Sequence, residues 1–151
     1  LKETARICDN ELLNAIMARY KRQCNNMGIA FTADIRSGVL NYMSDSDLTS
    51  LFCNLLDNAT EAAGKVPDSY IEVNICKREN TPFVLITVVN SCRVNPFSNS
   101  GGKLISTKPD KHAHGFGTKS IKNVCKKYNG DIQMYYNEES LTFHTVITIR
   151  S

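Results

Sequence analysis

The stretch from Asp47 to Ala63, Asp-Leu-Thr-Ser-Leu-Phe-Cys-Asn-Leu-Leu-Asp-Asn-Ala-Thr-Glu-Ala-Ala, leaves this chain few ways to fold. Wound as a helix at about 100° per residue, it puts Leu48, Leu51, Phe52, Leu55, Ala59, Ala62 and Ala63 on one apolar arc. An arc of that width has to be buried against a second layer. The opposite side carries Asn54, Asp57, Asn58 and Glu61, oxygen-bearing side chains at steps of three and four that form one short ridge. Ser46 or Asp47 is expected to cap the start by accepting from the orphan amides of the first turn. Surface helices commonly fill such a ridge with Lys and Glu, and two Asn are poorer helix formers. The ridge reads either as a solvated face or as an oxygen-lined wall for a hard cation or polar ligand, since Mg²⁺ takes oxygen ligands and keeps several waters.

A length of 151 residues fits one domain with a sizeable core. Hydrophobic content of 42% against 22% charged places the chain among globular proteins rather than disordered ones. The net charge of +3 comes without a basic stripe interleaved with aromatics, so a nucleic-acid surface is not expected. The cysteines at 8, 24, 53, 76, 92 and 125 form no Cys-x-x-Cys pair, which leaves zinc without local support. Most lie in apolar runs, so buried reduced thiols are expected rather than a disulfide framework. No apolar run approaches the roughly 20 residues of a membrane span, and the start lacks a secretory signal pattern. No direct membrane contact is therefore expected of this piece. A chain opening on Leu also reads as an excised fragment, so a membrane segment elsewhere stays open.

Residues 9 to 27 read as a first helix, with Leu12, Leu13, Ile16, Met17 and Tyr20 at helical spacing, Asp9 or Asn10 as cap and Gly28 as stop. Residues 29 to 36 alternate as a strand. After the Asn-bearing helix, closed by Gly64 and Pro67, residues 70 to 78 and 83 to 89 read as a hairpin around Glu79-Asn80-Thr81-Pro82. The second of these strands is almost wholly apolar and is expected to lie centrally with both faces covered. From Asn90 to Ala113 periodicity is lost while Asn, Ser, Gly, Pro and Lys gather, the composition of a binding loop or lid. His114-Gly115-Phe116-Gly117-Thr118-Lys119-Ser120 then opens a third helix with Ile121, Val124, Cys125 and Tyr128 as its buried stripe. Gly-x-Gly at a helix start lets backbone approach a ligand, and the unpaired amides there attract phosphate. Neither a Rossmann fingerprint nor a P-loop fits the spacing. A last hairpin, 131 to 136 and 141 to 149, offers Phe143, Val146, Ile147 and Ile149 to the core. The summed order suggests an α/β fold, a mixed sheet covered on one face by three helices.

Taken together, four features resemble the nucleotide-binding boxes of the GHKL ATPase superfamily. They are Asn54-Leu-Leu-Asp-Asn58-Ala-Thr-Glu-Ala, Val89-Asn90-Ser91-Cys92, Thr107-Lys108-Pro-Asp-Lys111 and His114-Gly-Phe-Gly-Thr-Lys-Ser-Ile121. The resemblance covers nearly the whole chain and is greatest to the catalytic ATP-binding domain of sensor histidine kinases of the quorum-sensing peptide-receptor type. It implies a Bergerat-type two-layer α/β sandwich over residues 9 to 151, with a lid at about 91 to 113, residues 1 to 8 being the end of a preceding linker or helix. It implies ATP and Mg²⁺ as cofactors, Asn58 holding the metal against the phosphates and Asn54 on the same wall. Asn90 would accept from the adenine amino group. His114, Gly115, Gly117 and the amides of Thr118 and Lys119 would cradle the phosphates, with Lys108 and Lys111 reaching in from the lid.

The chain departs from that pattern in ways that bear on chemistry. Hydrolases of the superfamily carry a Glu at the position of Asn54, and an amide cannot take a proton, so appreciable ATP hydrolysis is not expected. Cys92 and Val94 replace the glycines that usually follow the adenine-binding residue, and Thr118 stands where Leu is commoner. Only His112, His114 and His144 occur, and none lies on a helix that reads as a phosphoacceptor. The implied function is a protein-histidine kinase domain, with Asn54 and Lys119 nearest the transfer. It would supply the γ-phosphate to a histidine on a separate dimerisation domain and so, through a response regulator, serve two-component signalling. The implied location is the cytoplasmic side of a membrane-anchored receptor. Two other readings stand beside it: a degenerate, non-catalytic nucleotide-sensing or interaction module, and a serine kinase of the anti-sigma type, which would benefit from a carboxylate that Asn54 lacks.

Overall fold

A computed structural model describes residues 6–97 and 111–150, with backbone alone for 111–117. Among the described residues the chain runs α1 (Glu11–Met27), β1 (Ala30–Ile35), α2 (Asp45–Ala63), β2 (Tyr70–Lys77), β3 (Phe83–Ser91), α3 (Lys111–Lys127), β4 (Asp131–Asn137) and β5 (Thr142–Arg150). The strands form one sheet in the order β1-β2-β3-β5-β4. β1 lies parallel to β2, with α2 as the crossover, and the other pairs are antiparallel. The expected two-layer α/β sandwich, a mixed sheet covered by three helices, is what forms.

Local chemistry explains the boundaries. Asn10 caps α1 by accepting from the Leu13 amide, and Gly28, in the left-handed region at φ 75°, ends it. α2 starts two residues before the expected Asp47, because Ser44 rather than Ser46 or Asp47 is the cap, its hydroxyl accepting from the Asp47 amide. Asp47 is thereby released for another role. The apolar arc of α2 is buried as Leu48, Leu51, Phe52, Leu55, Ala59 and Ala63, together with Leu56, while Ala62 stays half-exposed at the margin.

The core lies between this arc, the inward stripes of α1 and α3, and one face of the sheet, where Ile71, Val73, Ile75, Val84, Ile86, Val88, Ile147 and Ile149 alternate inward. Burying Phe52 or Ile86 contributes about 1.5–3 kcal/mol each. Two expectations fail at the sheet. β3 is central, but helices cover only one of its faces, and Leu85, Thr87 and Val89 are half-buried on the other. An apolar run on a strand does not by itself require two covering layers. Val146 is not in the core either, because it sits between Thr145 and Ile147 and strand alternation sends it to the open face.

The six cysteines are unpaired; Cys8, Cys24, Cys92 and Cys125 are buried, and Cys53 and Cys76 are half-buried. Burial pushes the Cys125 thiol up to about 11. Among the described residues no helix is long and apolar enough to cross a membrane.

Candidate nucleotide site

The Asn-bearing ridge lies on the C-terminal half of α2. Six residues, 64–69, join Ala63 to Tyr70, so that end of α2 stays close to the start of β2. The start of β2 is paired with the end of β3, Ile71 lying opposite Asn90, and the Tyr70 amide donates to Ser91 Oγ at 3.0 Å. Asn90 belongs to the inward stripe of β3 and is 4% exposed. The sheet topology therefore brings Asn54 and Asn58 to the same end of the sandwich as Asn90, although 32 and more residues separate them in sequence.

α3 reaches that end by running back along α2. Its C-terminal Tyr128 donates its hydroxyl to Asp47 Oδ2, Lys127 Nζ lies 2.9 Å from the same oxygen, and the Ser44 amide donates to the Tyr128 hydroxyl at 3.3 Å. The end of α3 is thus tied to the start of α2. From Lys127 back to Lys119 a helix rises roughly 12 Å, and from Asp47 forward to Asn58 roughly 16 Å, so the start of α3 comes up beside the Asn ridge. The hydrogen bond from Tyr128, then that from Lys127, holds the Asp47 carboxyl below its ordinary range. A depressed folded-state value gives stability that is present above the unfolded value near 3.8 and lost as pH falls through the folded one. Asp47→Asn should therefore flatten the acid limb of a denaturant-midpoint profile below about pH 4 while leaving its neutral slope unchanged. An acid limb identical to wild type would mean that Asp47 does not carry it.

On α2 itself, the amide of Asn54 is oriented. Its Nδ2 donates back to the Ser50 carbonyl at 2.6 Å, which turns Oδ1 outward. Asn58 is half-buried and makes no hydrogen bond among the described residues. Asp57 is exposed beside them, but its carboxylate is engaged: Tyr20 of α1, fully buried, donates its hydroxyl to Asp57 Oδ1 at 2.6 Å and also to the Cys53 carbonyl at 3.2 Å. Burial first, then Asp57, pushes the Tyr20 hydroxyl up, so it remains a donor at neutral pH. One ridge member is thus committed to fastening α1 onto α2, and two amide oxygens are presented. This donor set suits Mg²⁺, which binds through one or two protein oxygens and completes its shell with water and phosphate oxygens.

After Asn90, Cys92 is buried, donates its thiol to the Val94 carbonyl at 3.3 Å and takes the Tyr136 hydroxyl on its own carbonyl at 2.8 Å. Val94 is 61% exposed. Phe143 lies opposite Asn90 on the inward face of β5 and stacks on Phe97, ring centroids 5.9 Å apart, which makes an apolar wall beside the Asn90 amide.

The glycine box is placed differently from expectation. α3 begins at Lys111, so His114, Gly115 and Gly117 lie within its first two turns rather than ahead of them. In an α-helix the unpaired amides are the first four, here those of residues 111–114, and the amides of Thr118 and Lys119 fall inside the ladder. Two glycines weaken a helix by about 1 kcal/mol each relative to Ala without forbidding it. Lys119 is exposed and Thr118 half-buried. Lys108 and most of the lid lie outside the described residues, and Lys111 is the first residue of α3. The ties Tyr20 to Asp57, Tyr128 to Asp47 and Tyr136 to Cys92 span 37, 81 and 44 residues, and no local pattern announces them.

A mixed five-stranded sheet covered on one face by three helices, with α2 as the crossover between its parallel strands, defines the Bergerat-type α/β sandwich. The chain belongs to the GHKL domain family, whose sequence profile matches residues 43–149. Among solved structures it is similar to the mycobacterial sensor histidine kinase MprB, with TM-score 0.68 and 16% identity over 93% of both chains. It is also similar to the catalytic domain of the histidine kinase ThkA, with TM-score 0.70 and 18% identity over 99% of this chain and 98% of that one. The Acinetobacter baumannii histidine kinase AdeS matches with TM-score 0.66 and 12% identity over 99% of this chain and 68% of its own. Identities this low speak for the fold. No curated protein sequence matches at a significant level.

Proposed function

We propose that this chain is the ATP-binding catalytic domain of a sensor histidine kinase, which supplies a γ-phosphate to a histidine on a separate dimerisation domain in two-component signalling. The observation that carries the reading is the convergence of the Asn54 and Asn58 oxygens, the buried Asn90 and the start of α3 at one end of the sandwich. Asn58, with Asn54 beside it, would hold Mg²⁺, which when bound neutralises phosphate charge. Asn90 would meet the base, and Gly115, Gly117, Thr118 and Lys119 the phosphates, with Lys108, Lys111 and His114 nearby. Asn54 cannot accept a proton, and Asp57 is engaged by Tyr20. Transfer would therefore rest on positioning and charge neutralisation rather than on a base of this domain. Such a domain would sit on the cytoplasmic side of a membrane-anchored receptor, with its histidine-bearing domain and a response regulator as partners.

Phosphate contact by the amides of 115–119 requires the first two turns of α3 to open, which the two glycines make about 2 kcal/mol easier than alanines would. Gly115→Ala with Gly117→Ala should raise the melting temperature of the empty protein and weaken nucleotide binding roughly tenfold or more. Equal affinity in the double variant would show that these turns stay closed around ligand. The closed turns also favour the second reading, a non-catalytic sensing or interaction module.

The deciding experiment is incubation with labelled ATP. The 151-residue chain alone should acquire no acid-labile phosphate, and a supplied histidine-bearing dimerisation domain should acquire it in the presence of the chain. Acid-labile phosphate on this chain by itself would overturn the division of labour. Nucleotide binding with no transfer to any such domain would favour the module.

A further inference from the structure

We propose that a basic hollow at the end of the sandwich remote from the Asn ridge is a docking site for an acidic, partly apolar segment of a partner protein. The inference is independent of the nucleotide reading, since neither the ridge nor Asn90 nor α3 lines this hollow.

The hollow has a volume of about 940 Å³ and is open to solvent along one side. One wall is the connection that follows β1, which contributes Arg36 and Val39, and the other is the β2–β3 hairpin, which contributes residues 76–82. Both walls are fixed through the backbone. The Arg36 amide donates to the Ile75 carbonyl at 3.0 Å and the Arg78 amide to the Phe83 carbonyl at 2.9 Å. The Arg78 carbonyl in turn takes the Thr81 amide at 3.2 Å and the Thr81 hydroxyl at 2.8 Å. Walls held in this way lose little freedom when a ligand settles between them. β2 begins beside Asn90 and finishes at the hollow, so a strand length of roughly 23 Å lies between this end and the nucleotide end.

The lining chemistry selects the occupant. Arg36, Lys77 and Arg78 are exposed cations, and Glu79 is the single carboxylate beside them. Among the described residues the ion pair formed is that of Lys127 with Asp47, so none of the three cations has a carboxylate partner. Val39, half-buried, and Pro82 add apolar surface, as do the aliphatic stems of the cations. A single phosphate would leave most of a hollow this size to water. A bilayer is flat and meets cations that project from a convex surface, whereas these three surround a concavity. No aromatic side chain lines the hollow, so a nucleic-acid base has no platform to stack on. An extended segment with Asp or Glu beside Leu or Val satisfies every part. Its carboxylates can bridge the guanidinium forks of Arg36 and Arg78, its apolar side chains cover Val39 and Pro82, and its outer face stays in water. Each exposed ion pair raises affinity by up to about fivefold, so three of them with the apolar contact reach weak, reversible binding.

The test is fluorescence anisotropy of a labelled peptide of Glu, Asp and Leu titrated with the 151-residue chain. The same peptide in Gln, Asn and Leu is the neutral control, and vesicles of phosphatidylserine and phosphatidylcholine form a separate arm. The expected result is a dissociation constant of about 10–100 μM for the acidic peptide at low salt, roughly tenfold or more weaker for the neutral one, and weaker again as salt is added. Arg36→Glu with Arg78→Glu should abolish the binding. Lys21→Glu with Arg22→Glu on α1 changes the net charge equally and should leave affinity within about twofold. All four side chains are exposed and in no ion pair among the described residues, so both variants are expected to fold. Equal loss in the two variants would overturn the proposal, because net charge and not the hollow would then attract the peptide. So would equal binding of the acidic and neutral peptides, or none of either, a comparison that needs no variant. Binding to the vesicles without binding to the peptide would assign the cations to a lipid surface instead.

Discussion

Replacing Asn58 with Ala should raise the dissociation constant for Mg-ADP roughly 30- to 100-fold, about 2–3 kcal/mol, with little change in the melting temperature of the empty protein. The side chain is half-buried on α2 and makes no hydrogen bond among the described residues, so its removal strands no partner and opens no core cavity. It lies one helical turn from Asn54 on the same ridge, where the neighbouring Asp57 carboxylate is engaged by Tyr20. If Asn58 acts through Mg²⁺, the unaltered and variant chains should converge when ADP is titrated in the presence of a chelator. A variant that binds Mg-ADP as well as the parent would remove the metal role from Asn58 and move the search to Asn54 and Glu61.

Gly130→Ala should cost about 3 kcal/mol of folding stability, at the upper end of what overpacking usually costs, read as a shift in urea midpoint. Gly130 lies three residues past the end of α3, and its amide donates to the Cys125 carbonyl at 2.7 Å. An added Cβ would lie 2.6 Å from Ile149 Cγ2 and 2.6 Å from the Thr148 carbonyl oxygen. The second of these is backbone in β5 and has nowhere to move without breaking the sheet. Gly28 makes the useful contrast. There φ is 75° and nothing lies within 4 Å, so Gly28→Ala should cost only the left-handed strain of about 1 kcal/mol. Equal losses at the two sites would mean that close approach is not what Gly130 provides.

The two glycines show how far a sequence can be read. Both stand close after a helix, and the Asn129-Gly130 pair after the third helix, like Gly28 after the first, reads as a helix stop. At Gly28 that reading gives the cause. At the second stop the left-handed residue is Asn129, at φ 51°, and the glycine is there because β5 passes against it. The requirement comes from a strand some 20 residues later, and no local pattern carries it. Val146 teaches the same in reverse. Its hydrophobicity suggested the core, but the alternation with Ile147 and Ile149 already placed it on the open face, so that reading could have been made from the sequence.

The glycine box marks another boundary. Gly-x-Gly beside Lys119 reads as a helix start whose backbone can approach a phosphate, and the helix nevertheless runs from Lys111 through both glycines. Propensity is a bias of about 1 kcal/mol per residue, which docking of Ile121, Val124 and Cys125 into the core readily outweighs.

The periodic apolar residues by themselves determined the order and kind of the elements, because helix and strand periods are local properties of the backbone. The spacing of Asn54 and Asn58 determined by itself that two amides share one helix face. Only the tertiary structure decided that Tyr20 takes up the Asp57 carboxylate, that Asp47 anchors the far end of α3, and that Asn90 stands nearly buried with its Nδ2 on the Ser91 carbonyl. Each of these depends on which side chains the sheet order and the packing of α1 and α3 onto α2 bring within about 3 Å, a distance that only the folded chain defines.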